Sequence, residues 1–282
     1  NKISNYFWRS QINPIQFKKS YKGTVQEIYL DKAISLLESF RDRELKVNEV
    51  FDIDQMAKVM ALRAIFGSTE FDVDDMKFYY NPVTNLLEPI SKEVHSDSGR
   101  FISEYNPWVF RSDNLSISWQ KPFLDLLYKD KKFYKKYLNE LNNYSKNQYI
   151  LKLVEENKSE FEEVKKILKL NFPTTRLYVY DDFKNISNYI QSTLNPIQKP
   201  YFNLLKIFNN TLEFKTTNTQ ILPIEITGIR INDKFLNLQS PLFVDGMNFE
   251  TNNFQKILKI ECSPLQCNDM DLENIIINYR IF

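Results

Sequence analysis

Histidine, cysteine and glycine are scarce in this chain, whose 282 residues include one His, two Cys and five Gly. With His95 as its only histidine, the chain cannot build a metal site from several imidazoles. A Ser-His-Asp or Cys-His catalytic device would depend on that residue alone, and no serine lies in a G-x-S-x-G sequence. His95 falls in a polar stretch, residues 94–99, which predicts a solvent-exposed loop histidine.

Excess charge and long apolar runs are also absent. The formal net charge is +1, so there is no electrostatic basis for binding nucleic acid or an anionic membrane. No apolar run reaches the roughly 18 residues of a membrane-spanning helix, and no signal peptide is visible. Four lysines, at 131, 132, 135 and 136, flank apolar helix positions and predict a solvated face, with an acidic partner as the alternative.

The two cysteines, Cys262 and Cys267, are separated by four residues. A structural zinc site needs four ligands, so this pair does not make one. Two interpretations stay open, a small disulfide loop in an oxidising compartment or two unpaired thiols.

What the sequence does contain is enough apolar material for a sizeable core, at 43% hydrophobic and 15% aromatic residues. Its periodicity predicts an α+β fold of two domains, residues 1–175 and 176–282. The first is expected to be mostly helical with a β-hairpin at about 76–90. After a short helix at about 181–193, the second is expected to be an antiparallel β-sandwich. Six short runs rich in β-branched and aromatic residues predict its strands: Tyr201–Phe208, Thr211–Thr216, Ile221–Ile231, Phe235–Leu238, Asn253–Cys262 and Glu273–Tyr279.

The stretch from Asp52 to Glu93 carries the most information. Asp52 is a helix N-cap candidate with Gln55 three residues later, as in a capping box, and Gly67 would end that helix. A second S-x-x-E capping box is predicted at Ser159, and an aspartate cap at Asp130. Glu70, Asp72 and Asp75 follow the first helix and precede the hairpin. The segment thus contains, in order, a buried helix, an acidic loop, a hairpin and a further acidic residue. Protein-kinase-like folds have the same order of elements around Mg-ATP.

The hairpin residues Phe78–Thr84 and Leu87–Ile90 resemble the signature of the spore coat protein H (CotH) kinase family, in its bacterial branch. The run from Ala33 to Phe40, with Val50–Asp52 and Ala57, resembles the same family's upstream pattern. Leu222–Ile226 resembles a strand that often follows the kinase-like part. The resemblance implies a kinase C-lobe-like helical region, and an extracytoplasmic or cell-envelope protein that transfers phosphate from ATP to Ser or Thr of surface proteins.

The resemblance also implies roles for four acids. Asp75 and Glu93 would hold Mg²⁺ and, through it, ATP, and they are expected to converge at the ends of the hairpin. Glu70 and Asp72 lie in the region of the catalytic loop. Asp75 stands where relatives commonly carry Asn, and Glu93 where they commonly carry the metal-binding Asp.

No phosphate-binding glycine loop precedes Ile28, where a nucleotide-clamping N-terminal lobe is expected. The absence of this loop, together with Asn at position 1, predicts that the chain is a fragment. Such a partial region is expected to fold but not to transfer phosphate detectably. Two functions therefore stay open: a partial or degenerate CotH-like kinase, or a catalytically inactive relative, a pseudokinase, that acts as a structural or surface-interaction protein.

Overall fold

The computed structural model describes residues 11–13, 21–66, 76–91, 121–146, 149–173, 179–196, 199–232, 234–246, 255–262 and 275–281. The fold is mixed α+β with antiparallel sheets, as the periodicity predicted. The chain forms two compact units, Asn1–Gln191 and Ser192–Phe282. This division falls inside a helix that spans Val179–Leu194, whereas the boundary predicted from the sequence, 175/176, precedes that helix.

The first unit is helical with one hairpin. Its elements, in chain order, are α1 (Val25–Arg41), α2 (Val47–Val50), α3 (Ile53–Phe66), β1 (Lys77–Asn81), β2 (Leu86–Ile90), α4 (Lys121–Lys129), α5 (Lys131–Lys146), α6 (Tyr149–Glu156), α7 (Lys158–Asn171) and α8 (Val179–Leu194). Helices α3 and α5 pack against each other. Both helices bury apolar side chains completely, including Met56 and Met60 from α3 and Tyr137 and Leu141 from α5.

Helix α8 lies in the first unit as far as Gln191, and its contacts give the physical reason. Ile186 and Ile190 are buried on one of its faces. At the next residue, the side-chain amide of Gln191 donates to the hydroxyl of Ser145 on α5 (2.7 Å). Because Ser145 and Ile190 are both buried, this contact anchors the end of α8 to the helical core.

The second unit is a β-sandwich. Its strands are β3 (Tyr201–Phe208), β4 (Thr211–Thr217), β5 (Ile224–Ile231), β6 (Lys234–Val244), β7 (Gln255–Glu261) and β8 (Ile275–Ile281). They form two three-stranded antiparallel sheets, in the orders β3-β4-β7 and β6-β5-β8. One apolar cluster joins buried residues of both sheets, including Leu212 and Phe214 from β4 and Ile226 and Ile229 from β5. The alternation along β4 is the period-2 pattern of a strand with one buried face. In β5 the alternation shifts by one residue at the irregularity between Ile226 and Gly228.

Asparagines shape the tight turns between strands. Asn209 and Asn210, between β3 and β4, both have positive φ (48° and 53°), as does Asn232 after β5 (51°). Asparagine tolerates this left-handed region better than other non-glycine residues. These asparagines therefore suit the left-handed turn positions that they occupy.

A buried asparagine closes one end of the sandwich. The side-chain amide of Asn218 donates to the carbonyl oxygens of Leu222 (3.0 Å) and Asp245 (3.1 Å), and its carbonyl accepts from the backbone N–H of Gln220 (3.1 Å). Gly246 lies so close that an added Cβ would overlap the backbone carbonyl of Ile221. We call these contacts the Asn218 clasp. It holds the β4–β5 connection against the end of β6.

Cys262, directly after β7, is buried and disulfide-bonded. Its backbone N–H donates to the carbonyl of Asn210 (2.8 Å), which ties the end of β7 to the β3–β4 turn. The other cysteine of the sequence, Cys267, lies outside the described residues. Of the two alternatives, a disulfide or two unpaired thiols, the structure therefore contains the disulfide.

The predicted helix starts had mixed outcomes. Asp130 caps α5 by accepting from the N–H of Phe133 (3.0 Å), as predicted. The capping box at Ser159 is wrong, because α7 begins at Lys158 and Ser159 therefore lies inside the helix, whose N-cap, Asn157, makes no side-chain cap hydrogen bond. Among the described helices, none combines the length and the apolar character that crossing a bilayer requires.

Candidate functional site

The candidate site is the region where α3, the acidic segment and the β1–β2 hairpin follow one another. All four predicted site residues, Glu70, Asp72, Asp75 and Glu93, lie outside the described residues. What the structure does describe is the framework around them: the end of α3 at Phe66, all of the hairpin, and the chain as far as Ser91.

Helix α3 is fixed at its start by Asp52. The Asp52 carboxylate accepts from the backbone N–H groups of Asp54 (3.0 Å) and Gln55 (3.1 Å), which confirms the predicted cap. The reciprocal half of the predicted capping box is wrong, because the N–H of Asp52 donates instead to the carbonyl of Leu87 (2.9 Å) in β2. A parallel bridge between Phe51 and Leu87 adjoins this bond. The helix start and the hairpin are therefore one connected piece of backbone.

An aromatic cluster supports this junction. Phe51 is completely buried, and its ring meets those of Phe40 (centroids 5.0 Å, edge-on), Phe78 (5.2 Å) and Phe123 (6.3 Å, edge-on). Such tilted and edge-on pairs are favourable beyond the apolar area that they bury. The cluster joins α1, β1 and α4 around the residue that precedes the Asp52 cap.

The hairpin turn is organised by Asn81. Its side-chain carbonyl accepts from the N–H of Val83 (2.9 Å), and its amide donates to the carboxylate of Glu88 (2.6 Å). Glu88 thus has a structural hydrogen bond across the hairpin. Tyr79 points to solvent, with 51% of its surface exposed, while the side chains on either side pack inward. Phe78 and Tyr80 are therefore packing residues on one face of the hairpin, and Tyr79 lies on the opposite, exposed face.

The open end of the hairpin is the part closest to the predicted metal ligands. Lys77 pairs with Ile90, so the chain enters β1 and leaves β2 side by side. Asp75 is two residues before Lys77, and Glu93 is three residues after Ile90. Consecutive Cα atoms are about 3.8 Å apart, so the Cα of Asp75 lies within roughly 8 Å of that of Lys77, and the Cα of Glu93 lies within roughly 11 Å of that of Ile90. The chain lengths therefore permit both carboxylates to share one Mg²⁺.

Among the described residues, no group of three or more His, Cys, Asp or Glu side chains could hold a metal ion. The candidate pair consists of Asp75 and Glu93, whose carboxylate oxygens are the ligand type that Mg²⁺ prefers. The ligand atoms of Asp75 and Glu93 are therefore of a type that suits the Mg²⁺ implied by the resemblance.

A buried cation near the end of α3 was missed by the sequence analysis. Arg63 is 2% exposed and occupies the last turn of α3. Its positive charge acts on Tyr128 and Tyr137, which are hydrogen-bonded to each other. Burial raises the pKa of Tyr128 to about 12 and holds that of Tyr137 well above its ordinary value, and the Arg63 charge opposes both shifts. The two phenols therefore stay neutral beside the guanidinium.

The spacing of Arg63 could have revealed its burial. It lies seven residues after Met56 and three after Met60, on the same helical stripe as both methionines. A charged residue on such a stripe is worth noting, because buried charges require compensation. Arg63 is three residues from the end of α3 and, in the sequence, seven residues before Glu70.

Comparison of the chain with protein-family models, curated proteins and solved structures found no match.

Proposed function

We propose that this chain is the C-lobe-like part of a CotH-like atypical protein kinase, which uses Mg²⁺ and ATP to phosphorylate Ser or Thr of surface or envelope proteins. The observation that carries the proposal is the connected framework of α3 and hairpin. A capped helix is bonded through Asp52 to Leu87. The pair Lys77–Ile90 closes the open end of the hairpin, and in the sequence Asp75 and Glu93 are two and three residues beyond that pair. This is the order of parts that the resemblance implies.

Phosphoryl transfer depends mainly on positioning and on neutralising charge, so few groups are needed. When bound, Mg²⁺ supplies charge neutralisation on the phosphate oxygens. Asp75 and Glu93 would hold the ion, and Glu70 or Asp72 would orient the acceptor hydroxyl. The longer side chain of Glu93, compared with Asp, places its carboxylate one methylene further from the backbone.

The location outside the cytoplasm is supported by Cys262. Disulfides persist in oxidising compartments and are rare where thioredoxin and glutathione keep thiols reduced. A disulfide-bonded, buried Cys262 therefore fits a protein of the cell envelope or exterior better than a cytoplasmic one.

The test is calorimetric titration of the complete gene product with ATP in the presence of Mg²⁺ or EDTA. We expect Mg²⁺-dependent ATP binding that Glu93→Ala removes, because that change deletes one of the two metal carboxylates. Glu88→Gln is the matched control. It removes a charge from the same hairpin and keeps an oxygen that can accept from Asn81, so binding should be unchanged.

A phosphorylation assay on a Ser-rich acceptor peptide accompanies the titration. Residues 1–282 alone are expected to transfer no phosphate, since no glycine loop for clamping the β- and γ-phosphates precedes α3. Robust transfer by the 282-residue chain would refute that expectation. Absence of ATP binding by the complete product would refute the kinase proposal.

A second candidate function is a catalytically inactive CotH-like protein with a structural or surface-interaction role. The observation that favours it is the sandwich of residues 201–281, which has a hydrophobic core of its own. Modules of this type more often serve as scaffolds or adhesion domains than as enzymes. This function would be supported if the complete product bound no nucleotide.

A further inference from the structure

Strand β8 lies at an edge of its sheet, since among the described strands it pairs with β5 alone. Its residues Ile277 and Tyr279 pack against the sandwich core but are only partly buried. Their neighbours across the pair, Ile229 and Ile226, are completely buried. The flank of β8 that faces away from β5 thus keeps apolar surface in contact with water.

Edge strands usually carry features that prevent pairing with another chain, such as lysines, prolines or bulges. The other three edges of the described sandwich have them. Strand β3 is interrupted by a bulge between Leu204 and Lys206. Strand β7 exposes Lys256 and Lys259, and β6 exposes Pro241.

Strand β8 has no such interruption. The register shift in its pairing with β5 leaves the extra residue, Thr227, on β5, so β8 itself runs continuously from Ile275 to Ile281. Five of its seven residues are β-branched or aromatic, and none is proline or glycine, which is the composition that favours strand pairing. Its single charge, Arg280, is bound to Glu225 through Nη2 (2.6 Å) and Nε (2.7 Å).

We propose that β8 pairs antiparallel with β8 of a second copy of this chain, so that two three-stranded sheets become one six-stranded sheet in a two-fold dimer. The register that uses all seven residues is centred on Asn278. It places Ile277 opposite Tyr279 of the other copy, and Ile275 opposite Ile281, all on the core-facing side. Aromatic and β-branched pairs of this kind stabilise sheets.

The partner strand is assigned to a second copy of this chain, rather than to an unrelated protein, because this register is self-complementary. On the outer face Ile276 lies opposite Arg280 of the other copy, so no two like charges meet. The aliphatic stem of an arginine can cover an apolar neighbour while its charged end reaches water. Because the paired strands give only about seven interchain backbone hydrogen bonds and little area compared with a standard interface, the dimer is weak, with Kd of roughly 10–500 μM.

Sedimentation equilibrium of the 282-residue chain at about 5–500 μM tests this proposal. Ile276→Glu places a carboxylate opposite Arg280 of the other copy and should tighten dimerisation about fivefold, since a cross-strand charge pair forms twice per dimer. Ile276→Arg places two like charges opposite each other and should weaken it by a similar factor. Ile257→Glu and Ile257→Arg, on the exposed edge strand β7, are the matched controls and should leave Kd unchanged.

Hydrogen exchange of residues 275–281 gives an independent reading, because interchain pairing should protect amides of β8 as concentration rises. Thermal melting of each variant shows whether its fold is intact, since Ile276 also faces Arg230 within the chain. A chain that stays monomeric at every concentration overturns the proposal. So does a dimer whose Kd responds to the Ile257 changes and not to those at Ile276.

Discussion

Replacing Phe51 by alanine is expected to lower the free energy of unfolding of the helical unit by about 3–5 kcal/mol, the range for a large aromatic side chain removed from a core. Phe51 is completely buried and in contact with the rings of Phe40, Phe78 and Phe123. The cavity would open beside the Asp52 cap, where the bond to Leu87 holds α3 and the hairpin together. Urea denaturation followed by circular dichroism at 222 nm measures the change.

The matched control is Tyr79→Ala, which removes an aromatic side chain from the same hairpin on its exposed face. We expect that control to change stability by less than about 1 kcal/mol. If both variants lost the same amount, burial of Phe51 at the junction would not be the cause. A Phe51→Ala variant as stable as the parent would contradict the packing described here.

The second large effect is expected at the Asn218 clasp. Asn218→Ala leaves the carbonyl oxygens of Leu222 and Asp245 and the N–H of Gln220 without their partner at a completely buried position. Each buried polar group left unsatisfied costs about 1–3 kcal/mol, and water entering the space offsets part of that sum. We therefore expect a loss of about 2–4 kcal/mol from the sandwich.

Hydrogen exchange with mass spectrometry would locate this loss, because amides of β4, β5 and β6 should exchange faster while those of α3 and α5 do not. Asn203→Ala, on an exposed position of β3, is the control and should be nearly neutral. Faster exchange in the helical unit instead of the sandwich would show that the clasp does not act where the hydrogen bonds place it.

Local patterns were sufficient to predict the elements. The 3.6-residue repeat of Met56, Met60 and Ala64 indicated α3. Runs rich in β-branched and aromatic residues, Thr211–Thr216 and Ile221–Ile231, indicated the core strands β4 and β5. Such patterns depend on neighbours in sequence, so they can be read without tertiary information. The aspartate caps at Asp52 and Asp130 were predictable for the same reason.

Contacts between distant segments were not predictable in this way. The residues next to Asp52 in the sequence do not indicate that its N–H donates to the carbonyl of Leu87. The predicted hydrogen bond between Gln55 and that N–H was therefore wrong. Strand β6 extends to Val244, beyond the expected Leu238, because its far end pairs with Ile224 and Glu225 of β5. The pairing of Lys77 with Ile90, which defines the candidate site, could be inferred because hairpins are local.

The strand order of the sandwich also has a kinetic consequence. Glu225 pairs with Arg280, 55 residues away, and Thr211 pairs with Glu261, whereas the hairpin bond between Asn81 and Glu88 spans seven residues. Chains dominated by non-local pairing fold more slowly than those built on local contacts, since loop closure precedes the gain in contacts. In stopped-flow refolding, signals from the β-rich part should therefore lag those from the helices. Until that lag ends, the apolar strand Ile275–Ile281 is exposed, which makes the nascent sandwich the stage at which this protein is most prone to aggregate.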